Sequence, residues 1–189
     1  MSRRTAIAIA IAVLAVSAPG GSAAASTSRS AAGACADAGT IATDETTRLA
    51  AVEAVRCLVN LERAARGLRA VRASGLLQSA AEGHSRDMVA SKFVGHTSLD
   101  GTSVRQRVRR TGYIRRSKVT LVGEVLSWGS GTFASPNQLV AALMESPQHK
   151  RTLLDRRFRD VGVGFAFGAP MAGMGSSRSA TVTVNFGRR

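Results

Sequence analysis

The order of patterns along the chain predicts an α+β fold. Three observations carry it. The first half holds amphipathic helical stripes, the runs of strand composition come late, and nothing alternates strand and helix as a parallel βαβ sheet would. No internal repeat is present.

Residues 26–42 are rich in Ala, Ser, Gly and Thr and read as a flexible lead-in to a domain at 43–189. Thr43 is the expected N-cap of a first helix, with Asp44 and Glu45 in the turn where the helix dipole favours negative charge. Leu49, Val52, Val55, Leu58 and Val59 form its apolar stripe and Gly67 ends it. Ser74 or Gly75 opens a second helix whose Leu77, Ala80, Ala81, His84 and Met88 share one face, so His84 is expected to point inward. A loop with turn chemistry at Asp100-Gly101 follows, and Ser103 with Gln106 reads as a capping box for a short basic helix stopped by Gly112. Residues 119–128 have strand composition, with a turn at Gly129-Ser130-Gly131. Ser135-Pro136-Asn137-Gln138 reads as another capping box, and Ser146-Pro147 starts a short helix that carries His149. Residues 160–167 and 180–186 read as the strands of a hairpin.

Before the lead-in, Arg3 and Arg4 precede an apolar run from Ala6 to Val16 and the small-residue stretch Ala23-Ala24-Ala25. This is the pattern of an export signal over residues 1–25, cleaved after Ala25; an uncleaved anchor is the rival reading. No later stretch is apolar enough to span a bilayer, and the chain is expected outside the cell, in the medium or at the wall. Its formal charge of +14 falls by only Arg3 and Arg4 on cleavage, so the exported form stays strongly basic. Such a charge favours anionic wall polymers or lipid surfaces. Nucleic acid is a poor partner, because base stacking needs aromatic side chains and the chain has few. In an exported chain the two cysteines, Cys35 and Cys57, are expected to pair, which would pin the start of the domain to its body and add roughly 3 kcal/mol.

Four phrases stand in order: Ala80-Ala81-Glu82-Gly83-His84-Ser85-Arg86-Asp87-Met88, Gly95-His96-Thr97-Ser98-Leu99-Asp100-Gly101, Val122-Gly123-Glu124 and Ser146-Pro147-Gln148-His149-Lys150. Together they resemble the bacterial branch of the CAP superfamily (cysteine-rich secretory proteins, antigen 5, pathogenesis-related proteins), over roughly residues 55–189. The resemblance implies a three-layer α-β-α sandwich with a central antiparallel sheet. It also implies a cleft in which His96, Glu124 and His149 hold a small ligand or a divalent metal, zinc above all, with Glu145 a candidate for a second acid and His84 in the cleft wall. Two imidazoles and a carboxylate suit zinc and would leave room for a water or substrate. No His-Glu-x-x-His helix supports a metal independently. The other reading is that the histidines hold loops closed through hydrogen bonds. Three functions therefore stand open: a small-molecule or lipid binder, a metal-dependent hydrolase of peptidase type, and a basic wall-interaction module.

The sequence departs from the family pattern where Val125 replaces an Asn, Leu143 a Trp, and Lys150-Arg151-Thr152 an Arg-x-Asn. Loss of the Asn is expected to loosen Glu124. Arg105, Arg107, Arg109, Arg110, Arg115, Arg116 and Lys118 form the densest basic stretch. On the short helix Val104 and Val108 are expected to face the core and all the arginines to project outward. Arg109, Arg110, Arg115 and Arg116 are then the candidate anion-binding surface.

Overall fold

Asp44 starts the first helix, one residue later than expected. Its carboxylate accepts from Thr47 N at 2.9 Å, and Thr47 Oγ1 in turn accepts from the Asp44 backbone. The computed structural model describes residues 34–115, 121–174 and 178–189; the export signal, Arg116 and Lys118 lie outside the described residues. Helix α1 (Glu45–Ala64) buries Val52, Val55, Leu58 and Val59, while Leu49 lies half exposed off that stripe. The helix stops at Ala64, and the chain turns away through Gly67 at φ +66, a backbone geometry that glycine adopts without cost. Strand β1 (Arg72–Ala73) leads into α2 (Gly75–Ser91), capped by Ser74. Helix α3 (Val104–Arg110) has the expected Ser103–Gln106 capping box.

Strand β2 (Leu121–Ser130) runs straight through the turn expected at Gly129-Ser130, and a 3-10 turn, Gly131–Ala134, follows it. Helix α4 (Pro136–Glu145) does not use the expected capping box. The Ser135 hydroxyl lies within hydrogen-bond reach of Thr132 O and Asn137 Oδ1, either of which can take its one proton, and Asn137 Oδ1 accepts from Gln138 N. Helix α5 (Pro147–Leu153) is capped by Ser146. The hairpin β3 (Asp160–Phe167) and β4 (Ser179–Arg188) completes the sheet, in the order β1-β3-β4-β2. Its three long strands are antiparallel; the short β1, which no periodicity marked, joins β3 in parallel and makes the sheet mixed.

Helices lie on both faces of this sheet. On one face Val182, Val184 and Phe186 of β4 and Val161, Val163 and Phe165 of β3 pack with Val52, Val55 and Val59 of α1 and Leu139, Val140 and Leu143 of α4. The alternate residues face α2. A Cβ at Gly162 would overlap the backbone of Gln78, and one at Gly164 that of Ala81 and Glu82, so the helix rests directly on the strand. Ser85 fastens the contact, its hydroxyl donating to Gly164 O at 3.1 Å and lying 2.9 Å from the Thr183 hydroxyl. Cys35 and Cys57 form the disulfide, with Cα atoms 5.8 Å apart. Cys35, Ala38 and Ala42 are buried in the α1–α4 core, so residues 34–42 lie against the domain body.

Candidate functional site

Register decides where Glu124 goes. It pairs with Asn185 of β4, which pairs with Gly162 of β3, so all three sit in one row on the α2 face. Val125 alternates to the other face and is fully buried in the core there. The Asn expected at 125 is therefore not what orients Glu124. Asn185 does so: with its amide turned to satisfy both neighbours, it donates to Glu124 Oε2 at 3.0 Å and accepts from Ala81 N at 3.2 Å.

Arg107 supplies the second constraint, and it corrects the expectation that every arginine of α3 projects outward. It lies three residues after Val104 and one before Val108, on the inward face of the helix, and is 9% exposed. Its Nη2 donates to Glu124 Oε1 and Oε2 at 3.1 and 2.9 Å and to His96 O at 2.9 Å. Its Nη1 donates to Thr102 O at 2.9 Å and reaches Ser98 Oγ at 3.4 Å. One guanidinium thus neutralises the buried carboxylate and closes the 96–102 loop over it.

His96 is half exposed, and its Nδ1 lies 2.9 Å from Glu124 Oε1. A carboxylate only accepts, so Nδ1 carries a proton. His84 is fully buried, with Nε2 2.8 Å from Gly95 O and 3.9 Å from Glu124 Oε1. By the same logic Nε2 is protonated there and Nδ1 is bare. Burial pushes the His84 pKa down, outweighing the attraction of Glu124, so the ring is neutral near neutral pH. His149, on α5, has its pKa lowered by burial first and then by the nearby His96. It makes no hydrogen bond to Glu124. Glu145 is exposed at the end of α4 and takes no part in this network.

The structure therefore joins His96 to Glu124, brings His84 within 3.9 Å of the same carboxylate, sets His149 near His96, and leaves Glu145 apart. Arg107 and Asn185 complete the network and escaped the sequence reading. The position of Arg107 on the Val104–Val108 stripe was the available signal for the first; strand register was needed for the second.

Zinc does not fit Glu124 as a direct ligand. Its side chain is 1% exposed, and both oxygens are already taken by Arg107, Asn185 and His96. What remains is His96 Nε2 and His149, and two imidazoles fall short of the three or four protein ligands of a resident zinc. Among the described residues no group of three or more His, Cys, Asp or Glu side chains is arranged to hold a metal ion. The same saturation leaves Glu124 without a free oxygen to act as a general base.

A cleft of about 520 Å3 lies between α2, the 98–102 loop and α3. His84 and Arg107 line it, together with Ser79, Gly83 and Asp87 of α2, Ser98 and Asp100 of the loop, and Arg110. His96, Glu124 and His149 do not. Arg109, Arg110 and Arg115 are exposed as expected.

Known proteins agree with this architecture. The family model of the cysteine-rich secretory protein family, CAP, matches residues 57–182. No curated protein is similar enough in sequence to match. Among solved structures, an extracellular protein containing an SCP domain from Bacillus anthracis superposes with a TM-score of 0.60 at 19% identity, over 77% of this chain and 44% of that one. An outer surface protein from Borrelia burgdorferi gives 0.60 at 21% identity, over 74% of this chain and 92% of the other. A cysteine-rich secretory protein from Staphylococcus aureus gives 0.54 at 14% identity, over 77% and 40%. This chain spans less than half of the Bacillus and Staphylococcus proteins, and at these identities the likeness is one of fold. No helix among the described residues is long and apolar enough to cross a membrane. With the family model matching well over half of its length, the chain belongs to the CAP family of cysteine-rich secretory proteins.

Proposed function

We propose that the chain is an exported CAP-domain binding module that holds a small polar ligand in the α2–α3 cleft, at the cell envelope or in the medium, without hydrolysing it. The observation that carries this reading is the saturation of Glu124. A peptidase built on the expected residues would need that carboxylate as a metal ligand or a base, and Arg107 and Asn185 use it to brace the cleft instead. Hydroxyl and charged side chains in the lining, among them Ser79, Asp87, Asp100 and Arg110, offer a polar ligand hydrogen-bond partners beside an apolar surface of similar extent. The export signal in the sequence and the Cys35–Cys57 disulfide support a site of action outside the cytoplasm.

Gly83 allows a direct test. It lines the cleft, and a Cβ there meets nothing within 4 Å, so Gly83→Leu fills the cleft from a helix position that gains propensity. Both proteins would be incubated with an envelope digest, washed and denatured, and the released molecules weighed by mass spectrometry. Wild type is expected to retain a small molecule of unchanged mass that G83L does not. Equal retention by both, or zinc-dependent peptide cleavage lost in Glu124→Gln, would count against the reading.

The charge reading stands beside this one. Arg109 and Arg115 are exposed on and just beyond α3, on a strongly basic chain, and we propose that they draw the module to anionic polymer or lipid surfaces.

A further inference from the structure

The two edges of the sheet are built differently. On one side it ends in β1, a strand of two residues. On the other it ends in β2, ten residues that pair with β4 in unbroken register, without a bulge. An open edge is a template for another strand, and proteins blunt it with brevity, a bulge, proline or an outward lysine. β1 has the first of these. β2 has none: Leu121–Ser130 contains no Pro, Lys or Arg, and its one charge, Glu124, is buried against Arg107.

The edge is also open. Among the described residues, the backbone–backbone hydrogen bonds of Leu121–Trp128 are those to β4 alone. In an antiparallel pair every second residue turns its N–H and C=O away from the partner, so half of these groups face outward. Gly123 has no side chain, and its partial exposure is therefore exposure of backbone.

Two depressions border this edge. At its start Leu121, Val122 and Gly123 line a groove of about 380 Å3 with Gln148, Arg151 and Thr152 of α5. Further along, Leu126, Ser127 and Trp128 line a shallow, mainly apolar hollow with Met88, Val94 and Pro170. Both carry positive charge. Arg151 is exposed in the groove, where Arg157 is neutralised by Asp155. Lys92, also exposed, donates to Ala169 O beside Pro170 at the hollow. Two copies joined antiparallel along β2 would bring Arg151 of each toward Lys92 of the other. Like charge, on a chain of formal charge +14, opposes that pairing and favours an acidic partner.

We infer that β2 is a docking edge for an extended peptide segment of a partner protein, one that alternates apolar residues and carries Asp or Glu at its ends. The segment adds as a fifth strand, its main chain extending the ladder. An apolar side chain fills the Leu126–Trp128 hollow, and its carboxylates meet Arg151 and Lys92. This surface shares no lining residue with the α2–α3 cleft, so the inference is independent of the cleft reading.

Trp128 is the chain's one tryptophan, and its fluorescence reports on the edge directly. The test titrates the full exported chain with the peptide acetyl-Glu-Val-Thr-Val-Thr-Val-Glu-amide. Two relatives are run beside it, one N-methylated on every residue between the two Glu and one with Lys in place of both Glu. The first peptide is expected to change Trp128 emission saturably and to slow exchange of the outward amides of Leu121–Trp128. N-methylation should abolish the response, and the Lys ends should weaken it roughly fivefold. Arg151→Glu, at an exposed position, should narrow or reverse the preference for Glu ends. Leu126→Lys places a blunting charge on the strand and should abolish binding; should L126K fail to fold, the N-methylated peptide still decides the matter. An equal response to the N-methylated peptide would mean binding without strand pairing, and equal affinity for the Lys-ended one would remove the charge selection. A concentration-dependent dimer of wild type, lost in L126K, would assign the edge to a second copy. Any of these results, or no saturable response to the first peptide at its solubility limit, would overturn the inference.

Discussion

The two faces of the central sheet are both buried, yet they are held by different physics. Toward α1 and α4 the strands present Val161, Val163, Phe165, Val182, Val184 and Phe186, and burial of apolar area holds the layers together. Toward α2 they present Gly162, Gly164, Thr183, Asn185 and Glu124, and close backbone approach with side-chain hydrogen bonding does the work. The first face tolerates loose specification, since any well-packed apolar set of similar volume would serve. The second does not, because a polar atom buried there without a partner is costly. The network and the cleft both belong to the second face.

Substitutions should separate the faces. Gly164→Val drives a side chain into the Ala81 and Glu82 backbone and is expected to remove at least about 4 kcal/mol, unfolding a marginal domain. Phe186→Ala, opening a cavity on the apolar face, should cost about 3–5 kcal/mol and leave the cleft intact. Urea unfolding measures both. If G164V were milder than F186A, close helix–strand approach would not be what holds the α2 face.

Arg107 and Glu124 test the polar face by pairing. Arg107→Met leaves a buried carboxylate without its cation and should cost about 3–5 kcal/mol. Adding Glu124→Gln to that variant should recover part of the loss, giving a non-additive double-mutant cycle. Additive effects would show that the two residues act separately.

The contrast between faces also explains what the sequence revealed. Apolar stripes, capping at Ser74 and Ser103 and the late hairpin are local patterns, and they were legible. His84 was legible as inward because it shares the Leu77–Met88 stripe. The row Glu124–Asn185–Gly162 was not, because it is set by the register of three strands brought together from distant parts of the chain. Arg107 was read as surface because the run around it is basic, although helical spacing put it beside Val108. The Ser135 cap failed for a local reason: Asn137 Oδ1 accepts from the Gln138 N–H that the Ser135 hydroxyl would have capped.

Acid should weaken the polar face selectively. Burial holds the His84 pKa below its ordinary value of 6.5, with Glu124 and Asp87 opposing and Arg107 reinforcing the shift. Above pH 6.5 the ring is neutral in both folded and unfolded chains, and no stability is lost. Below it the unfolded chain takes up a proton that the native ring refuses, so stability falls as pH drops toward the lowered native value, by up to about 1.4 kcal/mol per pH unit. Denaturant midpoints between pH 7 and pH 5 should show this slope in wild type and a shallower one in H84Q. An equal slope in both would assign the loss to other groups.

The smallest effect is expected on the outer face of α3. Arg107 points in and Arg109 points out of the same turn, so Arg109→Ser with Arg115→Ser should change stability by no more than about 0.5 kcal/mol. Binding to anionic vesicles should nevertheless fall, and in wild type it should weaken steeply with salt. Salt-independent binding would remove the charge reading.

The most direct measurement of the account is the protonation pattern of the His96 and His84 rings at neutral pH, read from long-range 1H–15N correlations. If Glu124 is taken up by Arg107, Asn185 and His96, His96 carries a proton on Nδ1, and His84 carries its proton on Nε2 with Nδ1 bare. A His96 ring protonated on Nε2 and bare on Nδ1 could not donate to Glu124; it would free an oxygen of that carboxylate for a metal or a base and contradict the account.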